Sequence, residues 1–161
     1  MVDVVDRITR SRMMAGIRGK DTKPELLLRR ALHRMGLRYR LHVPGLPGRP
    51  DIVLPKYRAA IEIRGCFWHR HAGCTFATTP ASNIPFWKSK FSETVQRDRR
   101  NLEALRKLGW RVAVVWECSI REEGGEGIAR KLSKWLVSKR SSAEFPFPAS
   151  RGDRPGIQMQ S

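Results

Sequence analysis

Residues 50–74, PDIVLPKYRAAIEIRGCFWHRHAGC, constrain this chain more than any other stretch. A carboxylate, Asp51, leads into the apolar run Ile52, Val53 and Leu54. Pro55 and Lys56 turn the chain, and a second strand-like run, AAIEIR, follows. Alternate side chains of a strand share a face, so Ile61 and Ile63 point one way and Glu62 and Arg64 the other. Two neighbouring strands thereby carry Asp51, Glu62 and Arg64 toward one site. Directly beyond them, GCFWHRH crowds soft metal donors, large aromatics and imidazoles together. A hydrophobic core alone does not require that mixture.

At 161 residues the chain is the size of one domain and can bury a real core without staples. Lysine and arginine outnumber the acids 32 to 15, for a net charge of +17, which implies a polyanionic partner, nucleic acid above all. A membrane partner is not expected: no basic amphipathic helix has a clean apolar face, and nothing approaches the ~20 apolar residues of a span. Asp3, Asp6, Arg7, Arg10 and Arg12 rule out a secretory signal over the first residues, so a cytoplasmic, nucleoid-associated protein is expected. Three cysteines cannot all pair as disulfides within the chain. In a reducing compartment such a set, close to histidine, binds metal or is simply buried.

Residues 1–20 read as a polar, basic arm, in which Met14 and Ile17 would share a helix face. Thr22, Lys23, Pro24 and Glu25 have the capping-box pattern of a helix start, with Leu26, Leu27, Leu28, Ala31, Leu32 and Met35 as its buried stripe and Gly36 as its end. Taken alone, Glu25 reads as a cap. Alternation predicts a strand over 37–43, and a Pro/Gly-rich loop then delivers the chain to Asp51. A basic helix is predicted over 87–108, with Phe91, Val95, Leu102, Leu105 and Leu108 on its apolar side. WRVAVVW, residues 110–116, reads as a buried strand and is followed by Glu117 and Cys118. A last helix is predicted over 126–137. From 138 to 161 Ser, Pro, Gly and Gln dominate, which predicts a disordered tail. The result is an α/β domain over 21–137, a mixed central sheet flanked by helices.

Cys66, His71 and Cys74 lie within nine residues, and Cys118 follows a strand that can bring it alongside. Three thiolates and one imidazole fill the tetrahedral shell that zinc prefers and leave no place for water, so such a site would be structural. Buried free cysteines beside an exposed histidine are the alternative. Pro-Asp, then Glu-x-Arg eleven positions after the aspartate, has the form of the PD-(D/E)xK nuclease pattern, with Arg64 at the lysine position. That chemistry needs hard carboxylate oxygens to hold Mg²⁺ against a scissile phosphate. An ordinary salt bridge of Glu62 to an arginine is the alternative.

The runs LPGRPDIV, GCFWHRH, FWKSK, RDRRNLEALRKLGWRV and VVWEC, in this order and spacing, closely resemble the very-short-patch repair (Vsr) endonucleases, zinc-containing members of the PD-(D/E)xK superfamily. The resemblance covers roughly residues 5–137. It implies a restriction-endonuclease-like core and a monomeric enzyme that nicks DNA 5′ to the thymine of a T·G mismatch arising from deaminated 5-methylcytosine. Mismatch-repair proteins are implied as further partners. Asp51 then resembles the Mg²⁺ ligand, aided by the backbone carbonyl of Ile63. His69 resembles the histidine that activates water, and Glu25 a carboxylate acting through metal-bound water rather than a mere cap. Cys66, His71, Cys74 and Cys118 match the zinc shell, with one extra residue between His71 and Cys74. Phe67, Trp68 and Trp87 align with aromatics that wedge into the duplex, and Met14, with Ile17 nearby, with an arm that enters the minor groove.

Those roles fit the physics. A T·G wobble stacks poorly, so a wedge inserted there costs less than at a matched step. Lys88, Lys90, Arg97 and Arg100 on the basic helix suit phosphate contacts that position without specifying sequence. Three positions differ from the family pattern: Arg64 where a second histidine is common, Glu62 where the best-known members are not acidic, and Thr94 where asparagine is usual. An arginine cannot accept a proton, so Arg64 could only stabilise phosphate charge. A restriction-type or broader-mismatch nuclease is the neighbouring alternative, and a non-catalytic zinc-stabilised DNA-binding module the alternative of another class.

Overall fold

A computed structural model describes residues 22–146. The arm expected over 1–20, with Met14 and Ile17, lies outside them, as does the chain from 147 onward. The elements run in the order α1 (Lys23–Arg34), β1 (Arg40–Leu41), β2 (Ile52–Leu54), a 3₁₀ turn (Pro55–Tyr57), β3 (Ala59–Arg64), α2 (Ile84–Lys107), β4 (Arg111–Trp116), α3 (Glu117–Val137) and β5 (Ser142–Phe145). The five strands form one sheet in sequence order. β1–β2 and β2–β3 pair antiparallel, whereas β3–β4 and β4–β5 pair parallel. The expected mixed sheet with flanking helices is present.

One face of the sheet carries Ile52, Leu54, Ala59, Ile61, Ala113 and Val115 into a core closed by Leu28, Ala31 and Leu32 of α1 and Ile128, Leu132 and Leu136 of α3. Alternation sends Val112, Val114 and Trp116 of β4 to the other face, where they are also buried. Burial on both faces is why WRVAVVW reads as one continuous apolar run. α2 has Phe91, Thr94 and Leu105 buried. On that second face, Val114 and Trp116 form a small cluster with Cys66, Cys74 and Cys118 from just past the strand ends.

Four expectations are corrected. The strand predicted over 37–43 shrinks to Arg40–Leu41 at the sheet edge. The cause is His42, whose φ of 46° is left-handed and cannot continue a strand. The capping box does not form: the Thr22 side chain makes no cap hydrogen bond, and Glu25 is buried instead of reaching back to the helix start. Leu27 and Met35 of the expected stripe are 41% and 44% exposed. The tail expected from 138 begins with a strand, because the outer edge of β4 pairs with Ser142–Phe145 and Phe145 joins the main core.

α3 is two helical pieces merged across Gly124, whose φ of 75° no helix contains. The bend brings the second piece against α1, closely enough that a Cβ on Gly125 would meet Leu27 O at 2.4 Å. A backbone carbonyl cannot rotate away as a side-chain tip can. Gly125→Ala is therefore expected to destabilise the fold by about 1–3 kcal/mol, measured by urea denaturation. Gly127→Ala, where the added methyl meets only Glu123 Cβ at 3.2 Å, should cost less, within about 1 kcal/mol of wild type.

Candidate active site and metal cluster

A cavity of about 1150 Å³ opens over the ends of β2 and β3, lined among others by Glu25, Asp51, Ile63, Phe67, Trp68, His69, Lys90, Arg97 and Glu117. Residues distant in sequence meet there because α1, the β2–β3 hairpin, the segment after β3 and α2 all converge on it. Asp51 sits just ahead of β2, and its Oδ2 accepts a hydrogen bond from Ile63 N at 2.7 Å. Its side chain is 26% exposed, so the carboxyl is not sealed in dry interior. Burial, and then the charges of Glu25 and Glu62, push the Asp51 carboxyl up from the usual 3.8 to about 7, against the pull of the Ile63 bond. A buried acid of this kind is an anion held at a cost until a cation joins it.

Glu25 and His42 complete the acidic end. His42 Nε2 lies 2.8 Å from Glu25 Oε1, within ion-pair range, yet neither atom makes an aligned hydrogen bond and both are shut off from solvent. His42 Nδ1 faces Asp51 Oδ1 at 3.9 Å. One donor atom from each of Glu25, His42 and Asp51 can be chosen so that all lie within 4.8 Å of one another, a spacing that could hold a metal ion.

On the other wall, His69 Nδ1 lies 2.6 Å from Asp98 Oδ2. An ionised carboxylate only accepts, so Nδ1 carries a proton, and in the neutral ring Nε2 is the nitrogen with the free lone pair. The turn that presents His69 is closed by its own backbone, with His69 N donating to Gly65 O. Phe67 and Trp68 make an edge-on pair at 5.2 Å, and Trp87 of α2 reaches both rings, at 5.8 and 5.7 Å. Phe67 also meets Phe91 at 5.3 Å, so one side of the aromatic group is anchored in the core. Arg70, at φ 54°, donates to the carbonyls of Phe67, Ala77 and Thr78 and ties the following loop down.

Cys66, His71, Cys74 and Cys118 bring one donor atom each within 4.8 Å of the others. A tetrahedral ion with bonds of about 2.3 Å needs donor separations of about 3.8 Å, so the set fits such an ion. Cys118 Sγ stands 3.4 Å from His71 Nδ1, and the His71 ring stacks on Trp116 at 4.3 Å. Burial holds His71 below its usual value, in the neutral form a ligand needs. Burial first, then Cys66 and Cys74, push the Cys118 thiol up to about 12, and burial raises Cys66 too. Thiols packed this way stay protonated unless a cation takes the proton's place.

Of the residues singled out in the sequence, Asp51, Glu25, His69, Phe67, Trp68, Lys90 and Arg97 line one cavity, with Ile63 at its floor. Glu62 and Arg64 do not line it. They pair with each other at 2.7 Å, and the Arg64 guanidinium lies over Trp116, because alternation turns both away from Ile63. Thr94 is buried and bonds back to Lys90 O within its own helix, although it too borders the cavity. Sequence reasoning passed over His42, Asp98 and Glu117. A signal for Asp98 existed: it continues the 3–4 spacing of Phe91, Val95, Leu102 and Leu105, so a carboxylate stands on the apolar stripe of α2.

A family model described as DNA mismatch endonuclease Vsr matches residues 2–75. The DNA mismatch endonuclease Vsr of Escherichia coli (strain K12) is 41% identical over 148 residues, spanning 90% of this chain and 94% of that protein. The type II nicking enzyme V.XorIIP of Xanthomonas oryzae pv. oryzae is 43% identical over 124 residues, 77% of this chain and 90% of the relative. The type II nicking enzyme V.NmeAIP of Neisseria meningitidis serogroup A is 42% identical over 143 residues, covering 89% and 99%.

Proposed function

The chain belongs to the Vsr family of DNA mismatch endonucleases and is an endodeoxyribonuclease; from that premise we propose that it is a Mg²⁺-dependent nicking enzyme directed to T·G mismatches. The observation that carries the reading is one cavity lined by Asp51, His69, Phe67 and Trp68 together with Lys90 and Arg97. Carboxylate, imidazole, wedge and phosphate-binding cations then stand around a single space. The strand is cut 5′ to the mismatched thymine, as suits damage left by deaminated 5-methylcytosine.

Asp51 would hold the catalytic ion, with Glu25 as the second carboxylate and the Ile63 carbonyl as a further oxygen donor. When bound, a divalent ion supplies positive charge at the scissile phosphate and makes an attacking water more acidic. His69 takes the proton of that water at Nε2, while Asp98 keeps its tautomer and ring orientation fixed. Lys90 and Arg97 neutralise the phosphates on either side. Phe67, Trp68 and Trp87 insert beside the poorly stacked wobble pair, and the arm over 1–20 enters the minor groove through Met14 and Ile17. Cys66, His71, Cys74 and Cys118 would hold a structural Zn²⁺, which would fix the segment carrying Phe67, Trp68 and His69. No helix among the described residues is long and apolar enough to cross a membrane, and the net charge of +17 favours duplex DNA as the partner.

Asp98→Asn is expected to slow nicking about 10²-fold with little change in KM for DNA, since the amide no longer requires the Nδ1–H tautomer of His69. Steady-state kinetics check it. The whole reading is tested by mapping products on an end-labelled T·G duplex with Mg²⁺ and with EDTA. A single Mg²⁺-dependent nick 5′ to the thymine is expected. Cutting of both strands would point to a restriction-type nuclease, and metal-dependent cleavage absent altogether to a binding module.

A further inference from the structure

We propose that His42 is a nitrogen donor to the cation site of Glu25 and Asp51, making it a mixed nitrogen–oxygen shell that selects Mn²⁺ over Mg²⁺. The proposal rests on the reading of Asp51 as the cation-holding carboxylate.

Both the backbone and the side chain of His42 are committed to this corner. Its N–H donates to Asp51 O at 3.2 Å, and its left-handed φ of 46° ends β1 and swings the ring between two acids. Nε2 faces Glu25 Oε1 at 2.8 Å and Nδ1 faces Asp51 Oδ1 at 3.9 Å. A purely structural imidazole linking two carboxylates would hydrogen-bond to both. Here the Asp51 gap exceeds hydrogen-bond range, and the Glu25 contact is not aligned. Glu25 is only 3% exposed, and its Oε1, cut off from solvent, is aimed at the ring. Asp51 Oδ2 is taken by Ile63 N, which leaves Oδ1 as the oxygen turned to the cluster. Three donors thus converge without satisfying one another, Arg29 Nη1 reaching Glu25 Oε1 only at 3.9 Å, and a shared divalent ion supplies what they lack.

The nitrogen donor sets the ion. Mg²⁺ is hard and takes oxygen and water in a near-ideal octahedron, gaining little from imidazole. Divalent transition ions gain affinity from nitrogen, in an order that starts with Mn²⁺. A shell of two carboxylates and one imidazole favours Mn²⁺ over Mg²⁺, whereas the carboxylates alone suit either.

Mn²⁺ itself is the probe, with the full chain first loaded with Zn²⁺ at its cysteine cluster. Pulsed electron paramagnetic resonance reads ¹⁴N coupling from a directly bound imidazole. The wild type is expected to show that coupling, and His42→Asn to lose it while still binding Mn²⁺; asparagine is chosen because it tolerates a left-handed φ. In competition titrations the wild type should bind Mn²⁺ about tenfold or more tightly than Mg²⁺, and His42→Asn should narrow the gap about tenfold. Mn²⁺ bound to the wild type without ¹⁴N coupling, or coupling unchanged in His42→Asn, overturns the proposal. Asp51→Asn separates the two levels. If it abolishes Mn²⁺ binding but the wild type shows no nitrogen coupling, only the role of His42 fails; if it leaves Mn²⁺ binding intact, the reading of Asp51 fails and takes the proposal with it.

Discussion

Asp51→Asn is expected to lower nicking of a T·G duplex by about 10³-fold or more while duplex binding stays within about threefold of wild type. The substitution keeps shape and volume, so the hairpin it belongs to has no reason to move. On the proposed reading, what it removes is the charge that would hold a cation against the scissile phosphate, an interaction that counts most in the transition state. On the proposed reading binding rests instead on Lys90 and Arg97, which line the cavity, and on the basic surface of α2, all of which the change leaves alone. The sign of the stability change is a separate check. Burial and the charges of Glu25 and Glu62 disfavour the ionised form, raising the carboxyl to about 7. Removing that charge therefore leaves the metal-free melting temperature equal or higher, the usual trade of stability against function. Single-turnover nicking, a mobility-shift titration and a thermal melt in EDTA together test it. Nicking at the wild-type rate would remove Asp51 from the site.

The second large effect belongs to the cysteine cluster. Cys118→Ser is expected to lose tightly bound zinc and to lower stability by several kcal/mol, or about 10 °C for a chain of this size. Cys66 lies just beyond β3 and Cys118 just beyond β4, so an ion shared between them ties the ends of two parallel strands. His71 and Cys74 belong to the same loop, whose turn presents Phe67, Trp68 and His69 to the cavity. Activity should fall together with zinc content, because both the imidazole and the aromatic wedge lose their support. Elemental analysis and thermal melts with and without a chelator measure it. Wild-type protein free of zinc, or a variant with unchanged zinc and melting temperature, would contradict the assignment.

What the sequence made legible follows from which signals are local. β3 was readable from its alternation, β4 because a continuous apolar run is its own evidence, and the cysteine–histidine cluster because three of its donors lie within nine residues. β5 was not readable. SAEF carries little apolar pattern, and only the open edge of β4 makes a strand of it. Glu25 is the instructive case: at the start of α1, a capping acid and a buried site acid leave the same pattern, and tertiary contact with His42 and Asp51 decides between them. His42 alternates with Leu41 and Val43 like any strand residue, so nothing local separated it from Arg38 and Arg40. Asp98 was hidden by its neighbours in RDRRN, which read as a solvated face, although its place on the helical stripe marked it as inward-facing.

Nicking of a T·G duplex compared with the same duplex restored to C·G, under single-turnover conditions with Mg²⁺, tests the central claim most directly. A wedge that exploits weak stacking saves on the order of a few kcal/mol at the mismatch, so the T·G rate should exceed the paired rate by at least about 10²-fold. Trp68→Ala should shrink that ratio. Equal rates on the two duplexes, with Phe67, Trp68 and Trp87 intact, would contradict the account.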